Sequence, residues 1–303
     1  MKALVIGYGS IGERHVRVLK KLGMNVAVVS RRANQNMGFY PSIQVALDSN
    51  SFDYIVVANE TIAHYATLQE ISKYHYEGKI LVEKPLFSNV KPINFNANQT
   101  FVAYNLRFHP LIQKLKSLLK NEQAISVNVY AGQYLPNWRP QEDYTKNYSA
   151  FSEQGGGVLR DLSHELDYLT LLFGEWSELV ANIGTISQLN IQSEDYVNIV
   201  YKTIQQVQIA LELNYLDRIT QRYMSVQTNT KTIKIDFIAN TINCNEELEQ
   251  FAPVDRDYTY LKQHNAVWND TEDVCTFNEG FQTIKMIEAI EKSALLKEWV
   301  YND

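Results

Sequence analysis

The sequence has few cysteines and no long apolar run. Its two cysteines, Cys244 and Cys275, form no Cys-x-x-Cys pair, so neither a disulfide framework nor a thiolate metal site is expected. No segment supplies the roughly 20 consecutive apolar residues of a membrane helix. The apolar run that begins at Ala3 ends at Gly7, which is too short for a secretory signal. We therefore predict a cytoplasmic protein with no membrane partner and no bound metal.

The sequence also lacks an excess of positive charge. It has 28 Lys and Arg against 34 Asp and Glu, a formal net charge of −6 at pH 7. This balance argues against a nucleic-acid partner, although a local basic pocket for a small anion stays possible. A length of 303 residues is about twice the commonest domain size, so two domains are expected.

Hydrophobic periodicity divides the chain near residue 106. Before it, short apolar runs alternate with amphipathic stretches, as in a parallel sheet with crossover helices. The strands are predicted at Ala3–Ile6, Asn25–Ser30, Asp53–Ala58, Lys79–Val82 and Phe101–Tyr104, with helices at Ile11–Leu22 and Thr61–Tyr74. The Asn-rich stretch Phe87–Thr100 lacks helical periodicity, so a crossover helix is expected to be missing there. The fold class is α/β, with a doubly wound Rossmann domain at residues 1–106.

Residues 107–303 are dominated by alternation of period two, which predicts strands of a large, mostly antiparallel open sheet. Helices are predicted at Leu111–Lys120, Val158–Phe173 and Phe277–Leu296. We interpret this part as an α+β domain for substrate binding and dimerisation.

A glycine loop follows the first strand. Gly7, Gly9 and Gly12 have the Gly-x-Gly-x-x-Gly spacing between a strand and a helix. In that setting the glycines permit a tight turn, close approach of a pyrophosphate and close packing of the helix, whose N-terminus attracts an anion. The alternative is a glycine-rich turn without a ligand. The context favours a dinucleotide site.

The end of the second strand bears on which dinucleotide binds. An Asp or Glu there would accept hydrogen bonds from the ribose 2′-hydroxyl of NAD, but this chain has Ser30, Arg31 and Arg32. A guanidinium can pair with a 2′-phosphate, so NADP(H) is predicted over NAD(H). Two solvated arginines in a loop are the alternative.

Two further motifs carry groups suited to proton transfer. Lys84, in Glu83-Lys84-Pro85, follows a buried strand, where a partly desolvated ammonium beside a cationic nicotinamide would exchange a proton more readily. Asp161, His164 and Asp167 recur every three residues and are predicted to share one helix face, where a carboxylate can orient an imidazole. A solvated lysine and a buried structural histidine are the alternatives.

Taken together, these motifs resemble the glucose-fructose oxidoreductase, inositol dehydrogenase and MocA family of NAD(P)-dependent oxidoreductases. They occur in the family's order, and the resemblance spans nearly the whole chain. It rests on Gly7 to His15, Ala58-Asn59-Glu60-Thr61 with His64, Glu83-Lys84-Pro85, Tyr104-Asn105-x-Arg107-Phe108, the Gly155–Asp167 segment and the closing helix. The family's usual spacing from the aspartate to the histidine is four residues, whereas it is three here.

The resemblance implies the site residues. The catalytic ones are Lys84, Asp161 and His164. The cofactor-binding ones are Gly7, Tyr8, Gly9, Ser10, Ile11, Gly12, Ser30, Arg31, Arg32, Ala58, Asn59, Glu60, Thr61, His64, Glu83, Lys84 and Asn105. The substrate-binding ones are Lys84, Arg107, Trp138, Arg139, Tyr148, Asp161 and His164.

The predicted activity is hydride transfer between the nicotinamide and a secondary alcohol or ketone carbon of a carbohydrate. Basic residues in the second domain favour an anionic or nucleotide-activated sugar, as in surface-polysaccharide synthesis; they are Arg107, Arg139, Lys146, Arg160, Arg218 and Arg222. A neutral polyol or inositol dehydrogenase and a non-catalytic NADP-binding sensor are the alternatives. The open sheet and the resemblance both predict a homodimer or a dimer of dimers.

Overall fold

A computed structural model describes residues 1–30, 38–271 and 273–302. Its strands, in chain order, are β1 Lys2–Ile6, β2 Asn25–Val29, β3 Gly38–Tyr40, β4 Tyr54–Val57, β5 Lys79–Val82, β6 Thr100–Val102, β7 Ala124–Gly132, β8 Trp176–Gly184, β9 Tyr196–Thr203, β10 Gln208–Asn214, β11 Gln221–Thr228, β12 Thr232–Asp236, β13 Thr241–Cys244, β14 Glu247–Gln250, β15 Cys275–Thr276 and β16 Val300–Tyr301. Its α-helices are α1 Ser10–Lys21, α2 Ile43–Ser49, α3 His64–Ser72, α4 Pro110–Leu119, α5 Val158–Asp161, α6 His164–Phe173, α7 Tyr258–Asn269 and α8 Phe277–Leu296.

The chain forms two compact units. The first contains Met1–Phe108 and Asp255–Ile284, and the second contains His109–Val254 and Lys285–Asp303. The first boundary is close to the predicted one at 106/107. The structure differs from the prediction in returning residues 255–284 to the first unit. Among the described residues, no helix has the length and apolar content needed to cross a bilayer.

The first unit is built on a seven-stranded sheet in the order β15-β6-β5-β4-β1-β2-β3. Strands β1 to β6 are parallel, and β15 pairs antiparallel with β6 at the edge. This confirms the predicted doubly wound Rossmann sheet. The short elements β3, α2 and β15 were not predicted from the sequence.

No helix connects β5 to β6, in agreement with the prediction for this fully described segment. Aromatic rings pack there instead. Phe87 contacts Tyr65 of α3 and Phe277 of α8, with ring centroids 5.4 and 6.1 Å away, and Phe95 contacts the same two rings. Four aromatic side chains thus bury the apolar surface that a crossover helix would otherwise cover.

Helix α7 completes the first unit from late in the chain. Its Ala266 and Val267 pack into one core cluster with Val16 and Leu19 of α1 and with the sheet. Its buried face also carries polar residues, notably Gln263 and His264. Because that face is not continuously apolar, hydrophobic periodicity did not predict the helix.

The second unit is built on a nine-stranded sheet in the order β14-β13-β12-β11-β7-β10-β9-β8-β16. All neighbours are antiparallel except β7 and β10, which run parallel with Val129 opposite Leu211. Burial alternates along the central strands, so one face forms the core and the other carries half-buried polar and aromatic side chains. The predicted open, mostly antiparallel sheet is confirmed.

The predicted helix Val158–Phe173 is wrong as a single element. Helix α5 ends at Asp161, and α6 begins at His164 after a break at Leu162 and Ser163. Asp161 and His164 therefore do not share the face of one continuous helix. His164 and Asp167 lie on α6, while Asp161 is the last residue of α5.

Candidate active site

The three glycines of the first loop have different surroundings. A Cβ on Gly7, whose φ is +99°, would lie 2.5 Å from the carbonyl oxygen of Ala58, and one on Gly12 would lie 2.2 Å from that of Gly7. The chain itself therefore excludes side chains at both positions. A Cβ on Gly9 would meet nothing within 4 Å. Gly9, which precedes α1, thus faces open space where a ligand's phosphates can approach the helix N-terminus.

The loop after β4 leaves a buried acceptor available. The amide nitrogen of Asn59 donates to Thr67 Oγ1 at 2.8 Å. The amide oxygen of Asn59 is buried and has no hydrogen-bond partner among the described residues. An orphaned acceptor beside an open glycine loop fits a bound polar group such as a dinucleotide.

The other residues predicted to bind cofactor in this region lie around the same loops. Tyr8 and Ile11 pack against the core cluster that contains Ala58, and Ser10 is the first residue of α1. Glu60 precedes a short 3-10 helix that begins at Thr61. The cofactor contacts of these residues remain predictions.

His64 fastens two loops together. Its Nε2 lies 3.1 Å from the carbonyl oxygen of Asn59, and its Nδ1 lies 3.2 and 3.1 Å from those of Pro85 and Leu86. Burial lowers the pKa of His64, while the carbonyl oxygens that accept from its ring act in the opposite direction. His64 holds the loop after β4 against the loop after β5, next to Lys84.

Ser30 follows β2, and its backbone N–H donates to the carbonyl oxygen of Tyr40 at 3.3 Å. Arg31 and Arg32, on which the predicted NADP preference rests, lie outside the described residues.

Asn105 contacts a residue of α7, and Glu83 contacts His15 of α1, which in turn contacts α7. Asn105 is buried, and its amide nitrogen donates to Thr259 Oγ1 at 2.8 Å. Glu83 Oε2 accepts from the backbone N–H of Lys84 at 3.1 Å, and Glu83 Oε1 lies 2.7 Å from His15 Nε2. These positions at the carboxyl ends of parallel strands are typical of ligand sites in doubly wound folds.

A buried chain of hydrogen bonds continues from His15. His15 Nδ1 lies 2.8 Å from His264 Nε2, and His264 Nδ1 lies 2.9 Å from the hydroxyl oxygen of Tyr54. His15, His264 and Tyr54 are all fully buried. Burial lowers the pKa of His264 well below its usual range and raises the pKa of Tyr54. The resemblance drew attention to His15, but His264 and Tyr54 were not singled out.

In the second unit, Asp161 is an acceptor for three hydroxyl groups. Tyr148 donates to its Oδ1 at 2.8 Å, and Ser149 and Tyr215 donate to its Oδ2 at 2.6 and 2.7 Å. Burial raises the pKa values of Tyr148 and Tyr215, and the nearby carboxylate of Asp161 raises them further. Ser149 and Tyr215 were not predicted as site residues. Trp138 packs edge-on against Tyr215 at 5.2 Å.

The helix break places two candidates for an acid–base group side by side. His164 is half-buried. Glu165, which has the four-residue spacing from Asp161 usual in the resembled family, is fully buried, and its Oε1 accepts from Arg222 Nε at 2.6 Å. Glu165 is thus paired with Arg222, and the role of His164 as the base stays a prediction.

The basic residues expected to attract an anionic substrate fall into two groups. Arg107, Arg160 and Arg222 are largely buried and pair with Glu279, Glu291 and Glu165. They are therefore committed to structural ion pairs, and Arg107 in particular is only 1% exposed.

Arg139, Lys146 and Arg218 are more exposed. Arg139 and Lys146 pair loosely with Glu142 and Asp143, at 3.6 and 3.3 Å. Arg218 lies over the ring of Tyr134 at 4.4 Å. Exposed pairs of this kind contribute little to stability and can open for a ligand. No group of three or more metal-ligating side chains converges within the described part of the chain.

Two family models match the sequence. One, described as the oxidoreductase family with an NAD-binding Rossmann fold, matches residues 1–99, and the other, the GFO/IDH/MocA C-terminal domain, matches residues 112–233. The chain belongs to the GFO/IDH/MocA oxidoreductase family. It is therefore an oxidoreductase with an NAD-binding Rossmann fold, which confirms the predicted class of enzyme, while the preference for NADP(H) stays a prediction. No curated protein sequence matches it significantly.

Solved structures of GFO/IDH/MocA type share the fold over the whole chain. The WlbA dehydrogenase from Bordetella pertussis, in complex with NADH and UDP-GlcNAcA, has a TM-score of 0.81 at 16% identity and covers 100% of this chain and 98% of its own. The myo-inositol 2-dehydrogenase from Lactobacillus plantarum has a TM-score of 0.79 at 17% identity, covering 100% and 99%. A levoglucosan dehydrogenase in complex with NADH has a TM-score of 0.82 at 15% identity, covering 99% and 98%.

Proposed function

We propose that the protein is a carbohydrate dehydrogenase that transfers a hydride between a nicotinamide cofactor and a secondary alcohol or ketone carbon. The proposal is supported chiefly by the residues that follow the strands of the first unit's parallel sheet. Gly9 faces open space, Asn59 has a buried acceptor without a partner, and Glu83 and Lys84 follow β5 at the same edge of the sheet. When bound, the nicotinamide supplies the hydride acceptor or donor.

The chain's own groups handle the proton. In oxidation the substrate hydroxyl must lose its proton as the hydride departs, and His164 is the proposed base. Lys84 would polarise the substrate oxygen. We propose that Asp161 organises Tyr148, Ser149 and Tyr215 and also accepts from a substrate hydroxyl; the three hydroxyl groups that donate to it support this role.

The NADP preference is proposed from the sequence after β2. Ser30-Arg31-Arg32 has no carboxylate to repel a 2′-phosphate. Two of the similar structures named above, the WlbA dehydrogenase and the levoglucosan dehydrogenase, contain NADH, so the preference would distinguish this chain from them. Titration of both cofactors checks it: Arg31→Ala should weaken NADP⁺ binding about tenfold and leave NAD⁺ binding unchanged. Equal affinities for both cofactors in the wild type would contradict the preference.

For the substrate, we propose an anionic or nucleotide-activated sugar contacted by Arg139, with Lys146 and Arg218 as further cations. Support comes from the exposure of these three side chains and from the position of Arg139, whose charge acts on Tyr148 beside Asp161. The buried ion pairs of Arg107, Arg160 and Arg222 favour the second candidate, a neutral polyol, because they remove half of the expected cationic group.

Cofactor binding is tested with a matched pair of glycine variants. Gly9 has backbone angles that alanine also adopts, and a Cβ at this position would have open space around it. The melting temperature of Gly9→Ala should therefore change little, whereas its cofactor affinity should fall at least about tenfold. Gly12→Ala places its Cβ against Gly7 and should instead destabilise the fold by about 1–3 kcal/mol. Unchanged cofactor affinity in Gly9→Ala would contradict the proposed site.

Turnover is tested on a panel of nucleotide sugars, sugar acids and neutral polyols by following cofactor absorbance. Lys84→Met and His164→Asn should each lose at least about a hundredfold in kcat while retaining cofactor affinity. Arg139→Ala should raise KM for anionic substrates only. Cofactor binding without turnover of any panel member, together with insensitivity of ligand binding to Lys84→Met, would favour a sensor.

We also propose a homodimer through the half-exposed face of the nine-stranded sheet. On that face Tyr130 and Tyr223 stack with centroids 5.3 Å apart. Sedimentation should give a dimer or a dimer of dimers, and a monomer at all concentrations would contradict the assignment.

A further inference from the structure

The buried chain Tyr54–His264–His15–Glu83 joins four segments of the first unit. Tyr54 is on β4, His264 on α7, His15 on α1, and Glu83 follows β5 immediately before Lys84. The three distances between their polar atoms are 2.9, 2.8 and 2.7 Å. Each is short enough for a hydrogen bond, so each junction needs one donor and one acceptor.

The direction of hydrogen-bond donation along the chain follows from the groups at its two ends, the Tyr54 phenol and the Glu83 carboxylate. Tyr54 is fully buried, and among the described residues its hydroxyl has no acceptor other than His264 Nδ1. If the phenol donates there, His264 carries its proton on Nε2 and donates to His15 Nδ1. His15 then carries its proton on Nε2 and donates to the Glu83 carboxylate. Every junction is satisfied with both imidazoles neutral.

The opposite direction leaves a group unsatisfied. If His15 were an imidazolium, its Nδ1–H would need His264 Nε2 as an acceptor, and His264 would then carry its proton on Nδ1. The phenol oxygen of Tyr54 would then accept from the Nδ1–H of His264, and the phenol's own hydrogen would have no acceptor among the described residues. A buried hydroxyl hydrogen would lose its acceptor, which costs about 1–3 kcal/mol.

Besides the Glu83 carboxylate, which at 2.7 Å would by itself favour a charged imidazole, the aromatic ring of Tyr260 also faces His15. Tyr260 packs edge-on against His15 and carries the Arg14 guanidinium over its ring at 5.1 Å. Burial raises the pKa of Tyr260 to about 12, so it stays a neutral phenol.

We infer that this relay holds His15 as a neutral donor, so that Glu83 keeps a net negative charge beside the nicotinamide and favours the oxidised, cationic cofactor over the reduced one. His15, His264 and Tyr54 are thus positioning residues that act through Glu83. The inference rests on the proposed function, because it takes Glu83 to line the nicotinamide side. In an imidazolium–carboxylate pair the two charges would cancel, and this preference would be lost.

The relay's protonation is tested first in the protein without cofactor. Nitrogen-15 NMR of labelled histidine, assigned with single-site variants, should show His15 and His264 as neutral Nε2–H tautomers near pH 7. An imidazolium or an Nδ1–H tautomer at His15 near pH 7 would overturn the inference whether or not a cofactor binds.

The effect on the cofactor is tested by the ratio of dissociation constants for reduced and oxidised forms. Tyr54→Phe and His264→Leu should each lower this ratio about tenfold, because the hydrogen bonds that keep the His15 proton on Nε2 alone are then broken. His264→Gln should preserve the wild-type ratio, since its amide can accept from Tyr54 and donate to His15.

Tyr76→Phe is the matched control, because Tyr76 is a largely buried tyrosine near Tyr54 whose hydroxyl contacts Lys79 rather than the relay. If both cofactor forms bind and the ratio stays within twofold in Tyr54→Phe and His264→Leu, the inference fails and the proposed function stands. If neither form binds the wild-type protein, the proposed function fails. Should His264→Leu not fold, Tyr54→Phe decides.

Discussion

The two units each contain a buried carboxylate supplied with donors, but the donors are arranged differently. Glu83 in the first unit is served largely in series, since Tyr54 supports His264, which supports His15, which donates to the carboxylate. Asp161 in the second unit is served in parallel, by three hydroxyls that reach it directly. A substitution at Tyr54 can therefore affect Glu83 through the two histidines between them. In contrast, each hydroxyl donor to Asp161 can be removed while the other two still donate to the carboxylate directly.

The largest expected effect is the removal of the parallel acceptor. Asp161→Ala leaves the hydroxyls of Tyr148, Ser149 and Tyr215 without their shared acceptor, and we expect the free energy of unfolding to fall by about 3 kcal/mol or more. Urea unfolding measures it. The exposed Asp143 is the control, and a loss in Asp161→Ala no greater than in Asp143→Ala would show that the three contacts carry no stability.

Removing one donor at a time should cost less. Tyr215→Phe and Ser149→Ala each delete one hydroxyl while Asp161 keeps two donors, so we expect a loss of about 1–2 kcal/mol each. Their double variant, measured by the same unfolding assay, should cost more than either alone. A double variant equal to the larger single one would mean that the donors act as one linked group.

The carboxylate of Glu194 extends the comparison, because it is buried with fewer hydrogen-bond donors than Asp161 has. Glu194 accepts from the backbone N–H of Leu159 at 3.1 Å, and burial raises its pKa to about 7. The folded protein therefore binds this proton more tightly than the unfolded chain, so stability falls as pH rises from about 4.5 to 7.

Glu194→Gln should remove that decline. We expect its melting temperature to match the wild type at pH 4.5 and to exceed it by a few degrees at pH 8. Thermal scans across this range check it, with the exposed Glu247→Gln as control. A constant offset at all pH values would instead indicate a packing effect.

The smallest effect is expected where a carboxylate needs no buried donors. Lys114 and Glu249 form a pair at 2.7 Å with both side chains substantially exposed. Lys114→Ala should change the free energy of unfolding by less than about 0.5 kcal/mol in urea titrations. A loss above 1 kcal/mol would require a contribution beyond the ion pair.

The same contrast explains what could be predicted from the sequence. Gly7, Gly9 and Gly12 were identified because a backbone turn imposes its residue types at fixed local spacing, and the alternating strands were identified for the same reason. Ser149, Tyr215 and His264 were not, since each acts through a partner at least 12 positions away in the chain. Local patterns carry no information about such pairings.

The helix break after Asp161 was missed for a related reason. Leu162 and Ser163 carry no Gly or Pro signal, and the apolar pattern continues through them. The interruption is nevertheless what separates Asp161 on α5 from His164 on α6. Likewise, the sequence indicated a group of basic residues in the second domain, but only the structure shows which of its arginines are already paired.

The division of the first unit into two chain segments bears on how the protein is made. Residues 1–108 leave the ribosome long before residues 255–284, yet Ala266, Val267 and His264 complete their core and the Glu83 relay. During synthesis the Rossmann half therefore stays unfinished, with apolar surface exposed, until the second unit has been almost entirely translated. Such delayed, long-range closure slows folding and lengthens the period in which chaperones can bind.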